Sequence, residues 1–149
     1  MKNLINITLL TLLGFMFSCK KDEATTPSKP KKEILSAKVW VISEVTSSGV
    51  TLYTKGSANA LDLGFDKVRL NFKSDGAVSG FDNSGKALPN NARWTLSTDE
   101  TKLTILNSGV TGLDGDIPIV QLTEVVLELK GKVVVQGNTF DGNLKMIPQ

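Results

Sequence analysis

Lys67-Val68-Arg69-Leu70-Asn71-Phe72-Lys73 alternates without interruption: Val68, Leu70 and Phe72 fall on one side, four polar residues on the other. A period of two marks a half-buried antiparallel strand, with one face on a core and one in water. The period recurs downstream. Arg93-Trp94-Thr95-Leu96-Ser97 and Lys102-Leu103-Thr104-Ile105 repeat it, and Thr98-Asp99-Glu100-Thr101 between them suits a tight turn, so 92–107 reads as a hairpin. Val125, Leu127 and Leu129 alternate with Val126, Glu128 and Lys130, and Gly131-Lys132 reads as a turn into Val133-Val134-Val135. Phe140, Gly142, Leu144 and Met146 form a last inward set. Ser74-Asp75-Gly76, Asp82-Asn83-Ser84-Gly85 and Gln136-Gly137-Asn138 supply the residues that turns require. The segment 55–66, with Ala58, Ala60, Leu61, Leu63 and Phe65, reads as a single helical turn or an apolar loop. Short antiparallel strands in this density predict an all-β domain over 36–149. The expected architecture is an up-and-down barrel of about eight strands, with a β-sandwich as the alternative.

Composition excludes several chemistries. The 149-residue chain has no histidine and one cysteine. Ser-His-Asp catalysis and histidine zinc sites are therefore excluded, and no disulfide framework can form within the chain. Seventeen basic residues against fifteen acidic ones give a formal charge of +2. The basic excess sits in Lys20, Lys21, Lys29, Lys31 and Lys32, so no basic face marks a nucleic-acid partner.

The single cysteine, Cys19, ends a leader. Met1-Lys2-Asn3 is a short basic start, Leu4 to Phe17 is almost wholly apolar, and Ser18 puts a small residue before the thiol. The apolar run falls short of the roughly 20 residues a spanning helix needs and fits a removable export signal. The pattern resembles a bacterial lipoprotein signal peptide, with Met16 where leucine is usual and Phe17 where a smaller residue is usual. The resemblance implies cleavage after residue 18 and acylation of Cys19. Several acyl chains on one residue make a stable membrane anchor, where one alone is marginal. Residues 19–35 follow as a flexible tether, rich in lysine, threonine and proline, with no large apolar residue before Ile34. Lys21-Asp22-Glu23 resembles the lysine-plus-acids signal that sends Bacteroidetes lipoproteins to the outer face of the outer membrane. The bland reading is a solvated start to the tether.

Three segments carry a further resemblance. Ala37-Lys38-Val39-Trp40-Val41-Ile42 opens the body with a tryptophan strand. Trp94 through Ile105 forms the central hairpin. Gln121-Leu122-Thr123-Glu124-Val125-Val126-Leu127-Glu128-Leu129 ends one strand and begins another. With the leader, these resemble the lipocalin-like lipoproteins of Bacteroidetes over roughly 34–147. Lipocalins proper carry glycine two residues before the first tryptophan, where this chain has Lys38. They also cap that tryptophan with a late arginine, whereas the arginines here are Arg69 and Arg93. The resemblance implies architecture and leaves the ligand open.

Candidate site residues are weighed on the same footing. Trp40, Tyr53, Phe72, Trp94 and Phe140 sit in phase with aliphatic neighbours, so they line either a packed core or a ligand cavity. An eight-stranded barrel is just wide enough to fill with side chains or to hold one small ligand. Asp114-Gly115-Asp116 and Asp82-Asn83-Ser84-Gly85 lack the oxygen count of a calcium loop and read as turns. No metal or cofactor is expected. The carboxylates are scattered, and no pair is marked for catalysis. The expected protein is a lipid-anchored, monomeric, non-enzymatic barrel that binds a small apolar ligand. The alternative is an interaction module that contacts an envelope protein or a glycan. Cys19→Ser should abolish incorporation of a metabolically supplied fatty acid; equal label in both chains would contradict the anchor.

Overall fold

The computed structural model describes residues 29–58, 62–135 and 137–149. Cys19 and Lys21-Asp22-Glu23 lie outside the described residues, as do Ala60 and Leu61. Among the described residues a short helix, α1 (Lys31–Ser36), precedes nine strands. These are β1 (Val39–Ser47), β2 (Val50–Thr54), β3 (Arg69–Phe72), β4 (Val78–Phe81), β5 (Arg93–Leu96), β6 (Lys102–Leu106), β7 (Gly115–Leu122), β8 (Leu127–Val135) and β9 (Asn138–Pro148). All pairings are antiparallel, and the order is β4-β3-β1-β9-β8-β7-β6-β5, with β2 also on β1. One sheet curls into a nearly closed barrel with a single unsealed seam. The expected barrel is therefore formed, and the sandwich alternative is set aside.

The seam lies between β4 and β5, the ends of the order. One bridge, Ala77 to Arg93, joins them. Trp94 fastens it. Its backbone N–H donates to Gly76 O at 2.8 Å and its indole Nε1 to Lys73 O at 2.8 Å. Its ring meets Phe72 edge to face, with centroids 5.5 Å apart. One residue, through backbone and side chain, thus ties β5 to both ends of the β3–β4 turn.

The inward positions fill the barrel. Trp40, Leu70, Phe72, Leu103, Ile105, Leu127, Leu129 and Met146 are fully buried, from five different strands. Alternation places them on one face of each strand, and curling the sheet brings those faces together. Two backbones approach closely where Gly142 of β9 lies against β1. A Cβ there would sit 2.4 Å from Thr46 O and 2.8 Å from Val133 Cγ2, so no side chain fits.

Helix α1 closes one end of the barrel. Pro30 O accepts from Glu33 N at 2.9 Å and Ile34 N at 3.1 Å, and Leu35 is fully buried. Trp40 Nε1 donates to Leu35 O at 3.0 Å. Lys31 Nζ donates to Glu100 O at 2.7 Å, and Lys38 Nζ donates to Glu124 O. This corrects the tether boundary: 31–35 is part of the packed domain, not a flexible linker. Pro30 stands at the helix N-cap rather than in a linker, and Ile34-Leu35 supplies the apolar plug.

Two further readings change, and one pair of alternatives is decided. Gly131-Lys132 is no turn, because β8 runs through it unbroken with Gly131 opposite Gly142. Val125 is not an inward strand residue; it stands 64% exposed in the 123–126 turn, where Thr123 Oγ1 accepts from Val125 N and Val126 N. Of the two readings of 55–66, the described parts take the loop, as turn and irregular backbone. Phe65 within them packs on Tyr53 edge to face at 5.6 Å.

Trp94→Ala should cost about 3–5 kcal/mol, the range for truncating a buried aromatic. Trp94→Phe should cost about 0.5–1.5 kcal/mol, the net contribution of the lost indole hydrogen bond, since Lys73 O still accepts from Gly76 N. Urea denaturation measures both. A loss below about 1 kcal/mol for Trp94→Ala would contradict the seam assignment.

Candidate functional site

The end opposite α1 is built from the β1–β2 turn, the β6–β7 loop and the β8–β9 hairpin. The β6–β7 loop, residues 107–114, folds inward as a plug. Ser108 N donates to Asp114 Oδ1 at 2.8 Å, and Val110 N donates to Ser108 Oγ at 3.1 Å. Val110 and Leu113 are buried among the wall residues. Gly112, at φ +85°, packs so tightly on β8 that a Cβ would lie 2.0 Å from Lys132 O. Beneath this plug and Phe65, Ile42, Ile117, Leu129 and Leu144 enclose a cavity of about 20 Å³. That is room for one water at most, and an apolar lining keeps such a space dry.

Outside the plug the barrel's inner surface continues onto two hairpins. β9 pairs with β1 only as far as Ser47–Gly142, while β8 and β9 stay paired to Val135–Asn138. Residues 138–141 of β9 therefore have one neighbouring strand instead of two. Phe140, opposite Val133, faces inward by phase yet stands 45% exposed. It is thus a rim residue and not a core aromatic, because the β8–β9 hairpin overruns the barrel. Val50, Leu52, Val135 and Phe140, with Ser47 and Ser48, line an open apolar groove of about 310 Å³. Ser47 Oγ is spent on Asp141 O at 2.8 Å, so the groove floor offers little hydrogen bonding.

The other four candidate aromatics are core. Trp40 and Phe72 are fully buried, and Tyr53 and Trp94 nearly so. The structure disperses them between the α1 end, the seam and the 62–66 loop and does not gather them around one chamber. Burial, with a smaller contribution from Asp66, pushes the Tyr53 hydroxyl up. The rim residues Val50, Leu52 and Val135 escape the sequence reading. Their signal is present only in the length of the β8–β9 pairing, which outruns β1.

The carboxylates stabilise turns. Asp99 accepts from Ser97 Oγ at 2.6 Å, Thr101 Oγ1 at 2.9 Å and Thr101 N at 3.2 Å, and these hydrogen bonds lower its pKa to about 2. The Ser84 hydroxyl and the Lys86 N–H hold Asp82 below the usual carboxylate range. Hydrogen bonding to Lys29 lowers Glu124, and hydrogen bonding to Lys132 lowers Asp141. No group of three or more potential metal ligands occurs among the described residues.

Compared with known proteins, the chain matches no family model, and no curated protein is significantly similar to it in sequence.

Phe72→Ala should cost about 3–5 kcal/mol and Phe140→Ala about 1 kcal/mol or less, because only the first leaves a cavity. Thermal melts of the two variants check this. Equal losses would return Phe140 to the core.

Proposed function

We propose that this chain is a non-enzymatic interaction module of the cell envelope, held to its membrane by lipid on Cys19. On this reading it contacts a partner protein through the apolar rim opposite α1. One observation carries it: the interior leaves about 20 Å³, while the rim holds an open apolar groove of about 310 Å³. An anchor upstream of α1 leaves the rim pointing away from the tethered end. Desolvating Val50, Leu52, Val135 and Phe140 against a partner contributes roughly 25 cal/mol per Å² of apolar surface covered. A protein partner suits the groove better than a glycan, since its lining is aliphatic with one ring and few hydroxyls.

A small apolar ligand is the second reading, favoured by the apolar lining beneath the 107–114 plug. It requires Val110 and Leu113 to leave the barrel, which uncovers the packed wall residues.

A photo-crosslinking benzophenone side chain in place of Phe140, tested in intact cells, separates the readings from a null result. The proposal expects a protein-sized adduct at position 140 and none from the same group in place of the exposed Thr95. No adduct at 140, or equal adducts at both, would contradict it.

A further inference from the structure

We infer that the open half of the seam, at the α1 end, holds the headgroup of an aminophospholipid from the membrane that carries the chain; this rests on the Cys19 anchor proposed above. The site starts where the seam stops pairing. Trp94 N donates to Gly76 O at 2.8 Å, and Gly76 N turns back to Lys73 O at 3.0 Å, so the chain facing β5 turns away there. β5 runs on to Leu96. Ser97 N donates to Lys102 O at 3.0 Å, toward β6, whereas Trp94 N points to the seam. Backbone groups alternate sides along an antiparallel strand. Leu96 therefore turns its N–H and C=O to the seam, and neither meets a partner among the described residues. The result is a cleft of about 620 Å³ between the β3–β4 turn, the β5–β6 turn and α1.

The lining receives charge of both signs. Lys32, Ser74, Asp75, Thr98 and Glu100 line the cleft with Leu96. The Lys32 ammonium, the Glu100 carboxylate and the Ser74 and Thr98 hydroxyls make no hydrogen bond or ion pair to a described residue. Asp75 is positioned by its turn: Oδ1 accepts from Ala77 N at 2.9 Å, which leaves Oδ2 unused. An ammonium, hydroxyls and a free backbone N–H are groups that receive a phosphate, and two carboxylates receive an ammonium. A phosphoethanolamine headgroup carries both ions. Its primary ammonium donates three hydrogen bonds, whereas the quaternary nitrogen of phosphocholine donates none, so the carboxylates favour the primary amine. A phosphoglycerol headgroup brings its phosphate without a cation and sets it beside two carboxylates of like charge. Trp94, at 3% exposure, offers no ring face, so an apolar ligand gains nothing here.

Position supplies the ligand. Residues 19–30 reach at most about 40 Å, at about 3.3 Å each, so an anchored chain keeps α1 within that distance of the lipid surface. Lys31 Nζ donates to Glu100 O at 2.7 Å, which ties the β5–β6 turn to the helix nearest the anchor. The charged groups of the cleft are exposed or half-buried, and ion pairs in such places are weak. A free headgroup in solution therefore binds weakly. Confining the cleft and the lipid to one membrane raises their effective concentration to the millimolar range, where weak affinity suffices.

The test follows the Leu96 amide by NMR in the protein purified from membranes in maltoside micelles. Glycerophosphoethanolamine should shift it saturably, glycerophosphocholine at least tenfold more weakly, and glycerophosphoglycerol not at all. Lys32→Gln and Glu100→Gln, in variants whose thermal melts match the parent, should each weaken glycerophosphoethanolamine at least fivefold. In phosphatidylcholine nanodiscs, protein whose mass shows its acyl chains should give the same shift when phosphatidylethanolamine is included. No saturable shift with glycerophosphoethanolamine overturns the inference, as does equal affinity for either of the other headgroups. A shift with the soluble headgroup and none with the lipid in nanodiscs also overturns it, since the cleft then serves a soluble aminophosphate. Protein whose mass shows no acyl chain sinks the anchor itself, a failure distinct from that of the micelle titration, which does not use the anchor.

Discussion

Trp94 holds the barrel shut. β4 and β5 meet at a single bridge, and the chain has no cysteine beyond Cys19 with which to staple them. One tryptophan does three things there: its backbone pairs with Gly76, its indole N–H with Lys73 O, and its ring with Phe72. Each hydrogen bond contributes about 1 kcal/mol net, and the ring's burial contributes more. The seam is the weakest line of the sheet, so interactions concentrated there keep the inward faces of all the strands in contact.

A shut barrel of this girth must be either filled or hollow, and this one is filled. Leu35 enters from the α1 end, and Val110 and Leu113 enter from the other. Close packing of this kind leaves a dry space no larger than one water. The apolar inner surface does not stop at the plug. It runs out along β2, β8 and β9 onto a rim where strands lose one of their neighbours. Exposure there is a consequence of register: β1 ends at Ser47, and the β8–β9 ladder goes on. The interaction reading of the protein follows from this contrast between a full interior and an open rim.

The period of two around Val68, Leu70 and Phe72 was enough to read the fold class, and the 92–107 hairpin was legible for the same reason. Phase was also right for Phe140, but phase reports which face a residue takes, not whether a strand flanks it on both sides. Gly131 looked like a turn because its partner, Gly142, is eleven residues away across a ladder that local sequence does not display. Pro30 looked like linker because Ile34 and Leu35 need a barrel mouth to enter before a six-residue helix is worth forming. The composition of 107–114 announces a loop, yet nothing local says that Val110 and Leu113 fold back to plug the barrel.

The most direct measurement is a methyl NMR titration of the full-length protein in detergent with a long-chain fatty acid. The account predicts that the methyls of Ile42, Ile117, Leu129 and Leu144, which enclose the small cavity, keep their shifts at saturating ligand. Saturable one-to-one shifts at those four residues would show that the plug yields and the interior is a binding chamber, and would contradict it.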